Sequence, residues 1–109
     1  MFTRDKVMVK RIDADPLEVR NFTASFFLAI LKAMIFVNAM PWRIKLPVLM
    51  LLAGQDKMIS AEAAESYFKK IRSKDKELKW YLEMYHALYV DKDREKVFKD
   101  IIDWMNKRI

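Results

Sequence analysis

Two side chains of the 109-residue sequence have the types and the placement that acid–base chemistry needs. Asp56 follows the apolar run 48–53 (VLMLLA), and the only glycine of the chain, Gly54, lies between them. His86, the only histidine, follows the alternating segment 77–82 (ELKWYL). A carboxylate that accepts a hydrogen bond from imidazole Nδ1–H fixes the ring tautomer and stabilises the imidazolium formed when the other nitrogen deprotonates a nucleophile. We therefore expect Asp56 and His86 to be the acid and the base of a nucleophilic mechanism.

Both candidate residues follow segments with strand patterns. The run 48–53 is apolar without alternation, which is typical of a strand buried on both faces of a parallel sheet. The segment 77–82 alternates, which indicates a strand with one apolar face formed by Leu78, Trp80 and Leu82. Each predicted strand therefore ends shortly before one of the two candidates.

A helix is predicted between the two strands. The segment 61–71 (AEAAESYFKKI) has apolar residues at helical spacing, and Ser60 precedes it as an N-cap. Two strands joined through a helix pair in parallel with a right-handed crossover. Their carboxyl ends then share one edge of the sheet, where parallel α/β folds gather their functional side chains. The order of elements therefore predicts that Asp56 and His86 lie close together, with Gly54 allowing a sharp turn before the carboxylate.

Two further helices complete the predicted fold. The segment 94–107 carries a broad apolar stripe that should pack on the sheet. The segment 16–38 is predicted to begin with Asp15 as its N-cap and Pro16 at its first helical position. The predicted fold class is therefore α/β, with two parallel strands and three helices in the order α-β-α-β-α.

The second half of the helix 16–38 is apolar on every side apart from Lys32, so another surface must cover it. A membrane span needs about 20 apolar residues, and Lys32 interrupts this run, which favours a globular chain over a small membrane protein. Contact with a membrane surface stays an alternative. Self-association is another, because an apolar helix and uncovered strand edges are costly to leave in water. We expect a homo-oligomer, at least a dimer, that completes the two-stranded sheet.

Composition limits the remaining classes of function. The chain has no cysteine and one histidine, so we expect neither a metal site nor a cofactor. Its net charge is +6, but acids and bases alternate closely in the segment 91–108, which favours a solvated helix face over a track for phosphates. Because no base-reading motif accompanies the charge, we expect no nucleic-acid partner. The start of the chain has no apolar stretch long enough for a signal peptide, which indicates a cytoplasmic location.

Three stretches together carry a resemblance to a known family. They are PVLMLLAGQD (47–56), MYHAL (84–88) and REKVFKDIIDWMNKR (94–108). In their order and spacing they resemble the C-terminal third of α/β-hydrolases, within the monoacylglycerol lipase and lysophospholipase-like group. The resemblance covers residues 44–109 and, more loosely, residues 4–40.

The resemblance implies a role for each part of the chain. Asp56 corresponds to the triad acid and His86 to the triad base, in the order acid then histidine that this fold uses. Residues 44–109 would be the C-terminal α/β segment of the hydrolase domain. Residues 1–43 would be a linker and the end of the helical cap that covers the active site. The implied substrate is a lipid-like ester.

The nucleophile of that family is absent from this sequence. It is a Ser within a G-x-S-x-G turn, and a chain with one glycine cannot form that motif. The serines that are present are expected in helices or turns: Ser25, Ser60, Ser66 and Ser73. Two functions follow as alternatives. The chain is either the C-terminal portion of a serine ester hydrolase, inactive by itself, or a non-catalytic module that associates with copies of itself.

Overall fold

The computed structural model describes residues 2–19 and 21–109. This part of the chain forms four α-helices and two strands, together with two single turns of 3-10 helix at Pro41–Arg43 and Leu88–Val90. In chain order the elements are α1 (Lys6–Asp13), α2 (Ala24–Ala39), β1 (Val48–Ala53), α3 (Ala61–Lys70), β2 (Lys76–Tyr81) and α4 (Arg94–Asn106). The predicted α/β class is confirmed, with one helix more than expected.

The two strands pair in parallel through the crossover helix α3. Val48 lies opposite Lys76 and Ala53 lies opposite Tyr81, so the strands run in register over their full length. Strand β1 has the predicted bounds, and β2 is shifted by one residue from the prediction. Both strands therefore end at the same edge of the sheet, directly before the turns that carry the candidate residues.

The core lies between the sheet and α4. Its buried members are Tyr81, Met84 and Val97, with Leu51, Leu88 and Ile101 packed around them. The predicted apolar face of β2 was wrong: residues 76–79 are all partly buried, Trp80 and Leu82 are exposed, and Tyr81 is the buried residue of the strand. The Tyr81 hydroxyl donates a hydrogen bond of 2.7 Å to Asp100 Oδ2, which fixes α4 against the end of β2.

The predicted start of the helix 16–38 was wrong. Helix α2 begins at Ala24, where Thr23 Oγ1 accepts a hydrogen bond from the Phe26 N–H at 3.2 Å. Asp15 and Pro16 instead belong to a turn in which Asp15 Oδ1 accepts from the Leu17 N–H at 2.9 Å. Pro fits the second position of a turn as well as the first position of a helix, because both need the same φ angle.

Helix α1 was not predicted. Its N-cap is Asp5, whose Oδ1 accepts hydrogen bonds from the N–H groups of Val7 and Met8 at 2.9 and 3.1 Å. The helix has only eight residues, which is short for recognition by periodicity. The cap residue Asp5 was one signal that the sequence offered for this helix.

Helix α2 exposes a large apolar surface. The larger side chains that are at least two-fifths exposed along it are Phe26, Phe27, Leu28, Ile30, Met34, Ile35, Phe36 and Val37. The Tyr67 hydroxyl of α3 donates to the Val37 carbonyl oxygen at 3.4 Å, near the end of the helix. Across residues 2–19 and 21–109, no helix is long and apolar enough to cross a membrane.

Gly54 is required by a close approach of two backbones. Its N–H donates to the Tyr81 carbonyl oxygen at 2.9 Å, which brings it against the residue after β2. A Cβ atom added to Gly54 would lie 2.5 Å from both Cα and the carbonyl oxygen of Leu82. Its φ angle is not positive, so the turn needs glycine for space and not for a left-handed conformation.

Gly54→Ala should therefore lower the free energy of unfolding by about 1–3 kcal/mol, because the backbone of Leu82 must move to admit the methyl group. Urea denaturation followed by circular dichroism measures this loss. Gln55→Ala is the matched control, since Gln55 is exposed and should change stability by less than about 0.5 kcal/mol. Equal unfolding free energies of Gly54→Ala and Gln55→Ala would contradict the close approach of the Gly54 and Leu82 backbones.

Candidate active site

Asp56 is oriented by the turn in which it lies. Its Oδ1 accepts hydrogen bonds from the backbone N–H groups of Met58 at 2.8 Å and Ile59 at 3.2 Å. Ser60, which follows Ile59, caps α3: its hydroxyl oxygen accepts a hydrogen bond from the Ala63 N–H at 3.1 Å. The turn after β1 thus engages one carboxylate oxygen and leaves Oδ2 directed away from its own backbone.

The loop after β2 is tied to this turn by backbone hydrogen bonds. The Gly54 N–H donates to the Tyr81 carbonyl oxygen at 2.9 Å, and the Gln55 N–H donates to the Met84 carbonyl oxygen at 3.0 Å. These bonds continue the contact between the strands beyond the end of the sheet. They bring the loop that carries His86 beside the turn that carries Asp56.

The predicted juxtaposition of the two residues is present. His86 Nδ1 lies 2.8 Å from Asp56 Oδ2, and the side chains are 25% and 11% exposed, respectively. A carboxylate can only accept hydrogen bonds, so Nδ1 carries the proton and donates it to Asp56. In the neutral ring the other nitrogen, Nε2, is then left with a lone pair that can take a proton.

The environment favours the ionised form of Asp56. Burial raises the pKa of this carboxyl group, but the hydrogen bond from His86, the N–H groups of Met58 and Ile59, and the electrostatic attraction of the His86 ring outweigh it. The net pKa lies below the ordinary value. Asp56 is therefore a carboxylate at neutral pH and can orient the imidazole ring.

A cavity of about 230 Å³ adjoins the pair. Apart from Asp56 and His86, its walls are apolar and come from β1, Ile59, α3 and Leu88. Ligand pockets usually enclose about 300–1,000 Å³, so this cavity is smaller than a complete substrate site.

The described serines lie in helices or turns. Ser25 is in the first turn of α2, Ser60 is the N-cap of α3 and Ser66 lies within α3. The buried Ser73 hydroxyl donates to the Asp75 carbonyl oxygen and accepts from the Asp75 N–H. These placements match the expectation from the sequence.

Sequence reasoning missed the residues near the start of the chain that contact His86. The ring centroids of Phe2 and His86 lie 5.6 Å apart, and the Phe2 carbonyl oxygen accepts from the Ala87 N–H at 3.0 Å. Such contacts join opposite ends of the sequence, so no local periodicity or spacing could have revealed them.

The arrangement defines the class of protein. A parallel strand pair with a crossover helix, an acid after the first strand and a bonded histidine after the second form the C-terminal part of an α/β-hydrolase. The chain belongs to the Hydrolase_4 family of serine aminopeptidases, S33, whose model matches residues 1–93.

Individual proteins support this assignment. The chain is 31% identical to the monoglyceride lipase of Mus musculus over 113 residues, which cover 100% of this chain and 37% of that protein. It is 34% identical to a carboxylesterase of Bacillus subtilis (strain 168) over 61 residues, 56% of this chain and 25% of the esterase. It is also 28% identical to the phospholipase YtpA of the same organism over 103 residues, 91% of this chain and 39% of that protein.

A solved structure shows the same fold. The crystal structure of the Paleococcus ferrophilus monoacylglycerol lipase matches with a TM-score of 0.88 at 26% identity, over 94% of this chain and 40% of that one. The chain therefore spans between a quarter and two fifths of the length of these relatives.

The Asp56 carboxylate should contribute to stability in a pH-dependent way. Because its folded-state pKa is depressed, the contribution is fully present above the unfolded pKa of about 3.9 and is lost as the pH falls through the folded pKa. The difference in unfolding free energy between the wild type and Asp56→Asn should therefore shrink as the pH is lowered from about 5. Urea denaturation at a series of pH values measures it.

Ser66→Ala provides a control without a titrating group, and its difference from the wild type should stay constant over the same pH range. If the difference in unfolding free energy between the wild type and Asp56→Asn also stays constant as the pH falls, the Asp56 carboxylate gains no folded-state partner.

Proposed function

We propose that this chain provides the acid and the base of a serine ester hydrolase that acts on lipid-like esters, and that the nucleophilic serine lies outside this sequence. The observation that carries the proposal is the 2.8 Å contact between His86 Nδ1 and Asp56 Oδ2 at the carboxyl ends of adjacent parallel strands. The choice of substrate class is supported by relatives named as a carboxylesterase, a phospholipase and a monoglyceride lipase.

The proposed chemistry follows from the tautomer of His86. Nε2 takes the proton from the serine hydroxyl while the hydroxyl oxygen attacks the ester carbonyl carbon. Asp56 stabilises the imidazolium that forms, and His86 then gives the proton to the departing alcohol. In the second half, Nε2 takes a proton from water, whose oxygen attacks the acyl-enzyme. His86 then gives this proton to the serine oxygen as the bond to the acyl group breaks, which releases the acid and restores the serine.

By itself the chain is proposed to be inactive. With one glycine, the sequence contains no G-x-S-x-G turn. The cavity beside the pair, at about 230 Å³, is also small for a lipid-like ester. Both features suggest that a further segment would contribute the serine and the remaining wall of the site.

Helix α2 is proposed to bind a membrane surface or other lipid aggregate that carries the substrate. Its exposed apolar side chains lie on more than one side, and Lys32 is the only charged residue within it. An apolar surface of this kind is costly in water and gains free energy when it is buried. The proposal follows the prediction of membrane-surface contact and assigns residues 1–43 a cap-like role.

A second candidate function is that of a self-associating, non-catalytic module. Two observations favour it, namely the exposed apolar surface of α2 and a two-stranded sheet in which each strand has one edge without a strand neighbour among the described residues. A second copy would cover both. On this view the contact between Asp56 and His86 is inherited and stabilises the turn only.

Activity in a completed enzyme tests the first proposal. We expect a fusion of this chain to the part of the Paleococcus ferrophilus lipase that it does not cover to hydrolyse p-nitrophenyl butyrate. Asp56→Asn should lower kcat by about 10⁴-fold because the ring loses the correct tautomer, and His86→Ala should lower it at least as far. The isolated chain should show neither turnover nor labelling by a fluorophosphonate probe.

Asp103→Asn is the matched control, since this exposed carboxylate pairs with Lys99 on the surface of α4 and should leave kcat unchanged. Full activity of a fusion that carries His86→Ala would refute the proposed base. Turnover by the isolated chain that His86→Ala abolishes would refute its proposed incompetence.

The exposed apolar surface of α2 should govern both self-association of the chain and its binding to lipid vesicles. Light scattering of the isolated chain should give a dimer or larger species, and flotation with phosphatidylcholine vesicles should carry the chain to the lipid fraction. Ile35→Glu and Phe36→Glu should weaken both, because each places a charge on an exposed apolar side of α2. Val7→Glu makes the same kind of change on α1 and should weaken neither. A monomeric chain that does not float would contradict both partner proposals.

A further inference from the structure

Residues 2–4, here called the N-terminal strap, lie across the loop that carries His86. This base loop comprises residues 82–93, and its one regular element is the single turn Leu88–Val90. The Phe2 carbonyl oxygen accepts from the Ala87 N–H at 3.0 Å, and the buried Thr3 hydroxyl donates to the Val90 carbonyl oxygen at 2.9 Å. Successive residues of the strap thus bind the base loop directly after His86.

The strongest contact between strap and loop is the ion pair of Arg4 and Asp91. Arg4 Nε lies 3.0 Å from Asp91 Oδ1 and 3.1 Å from Oδ2, and the same guanidinium also binds Asp93. The Asp91 side chain has no exposed surface, whereas that of Arg4 is 17% exposed. A charge so deeply buried is stable only with a close partner of opposite charge, so Arg4 and Asp91 depend on each other.

The environment keeps Asp91 ionised. Burial raises the pKa of its carboxyl group. Hydrogen bonds from the Arg4 side chain and from the N–H groups of Asp93 and Arg4, together with the guanidinium charge, lower this pKa by more than burial raises it. The net pKa is below the ordinary value. The ion pair is therefore present throughout the neutral range.

The base loop is held on both sides of His86. Before His86, the Met84 carbonyl oxygen binds the Gln55 N–H of the Asp56 turn. After it, residues 87, 90 and 91 are each bonded to the strap. Phe2 also lies against the imidazole, with an angle of 53° between the ring planes, which limits rotation of His86.

We infer that Arg4 and Asp91 are positioning residues that, through the strap, hold the His86 ring in its hydrogen bond with Asp56. The inference rests on the proposed function, in which the 2.8 Å contact sets the tautomer of the base. A displacement of about 1 Å at a catalytic group can cost on the order of 100-fold in rate. A loop with so little regular structure needs such a second anchor to keep this distance.

Ring nitrogen NMR of the full chain, labelled with 15N-histidine, tests the inference without any need for turnover. Because His86 is the only histidine, one set of ring signals reports the tautomer. At a pH at which the ring is neutral, the wild type should carry the ring proton on Nδ1. Arg4→Met should give a mixture of tautomers and should accelerate amide exchange of Ala87 by about 100-fold or more, because it leaves a buried charge without its partner.

Thr3→Val is the second variant and serves if Arg4→Met does not fold. It keeps the side-chain volume but removes the hydroxyl that donates to Val90 and accepts from the Asp5 N–H at 3.1 Å, and should accelerate amide exchange of Ala87 about fivefold. It should also raise the fraction of the Nε2–H tautomer. Arg108→Met is the matched control, because it breaks an ion pair with Asp75 just before β2, at the opposite edge of the sheet. That control should leave both readouts at their wild-type values.

The possible outcomes separate the two proposals. A folded strap variant in which Ala87 exchanges faster while the tautomer stays that of the wild type would overturn the positioning role and leave the proposed function standing. A wild-type ring that is not protonated at Nδ1 would overturn the proposed function and this inference with it. A change of tautomer in the strap variants but not in Arg108→Met supports the inference.

Discussion

The hydrogen bond from His86 Nδ1 to Asp56 Oδ2 is the interaction on which the functional account of this chain depends. It exists because two parallel strands end at one edge of a sheet and because the turns that follow are themselves bonded to each other. Gly54 makes this approach possible, since the backbone of Leu82 occupies the space that any other side chain would need. The absence of a side chain at Gly54 thus allows the two turns to approach closely enough for His86 Nδ1 to reach Asp56 Oδ2.

Burial and hydrogen bonding act in opposite directions on the acid. Partial burial of Asp56 alone would favour its neutral form, which cannot orient an imidazole as strongly. The backbone N–H groups of Met58 and Ile59 engage one oxygen and lower the pKa, while the other oxygen remains for His86. The turn that engages Asp56 therefore also suits this residue to its proposed role as the acid of a catalytic pair.

How far the sequence predicted the structure depended on how local the determining interactions are. The bounds of β1 were predicted because Pro47 and the turn at Gly54 enclose one continuous apolar run. Helix α3 was predicted to within one residue because Ser60 marks its start. The start of α2 was misplaced because Asp15 and Pro16 suit a turn and a helix equally well. The strap was missed because Thr3 and its partner Val90 are separated by 87 residues, and no local pattern encodes such a contact.

The pair itself was predictable from the order of elements, whereas the completed site was not, because the chain spans 40% of the structure that it resembles. The most direct test of the central claim is the proton NMR spectrum of the His86 ring in the wild type and in Asp56→Asn. The account predicts a low-field Nδ1 proton resonance in the wild type that disappears in the variant while the fold remains. A spectrum without this resonance, or one in which Asp56→Asn leaves it unchanged, would contradict the account.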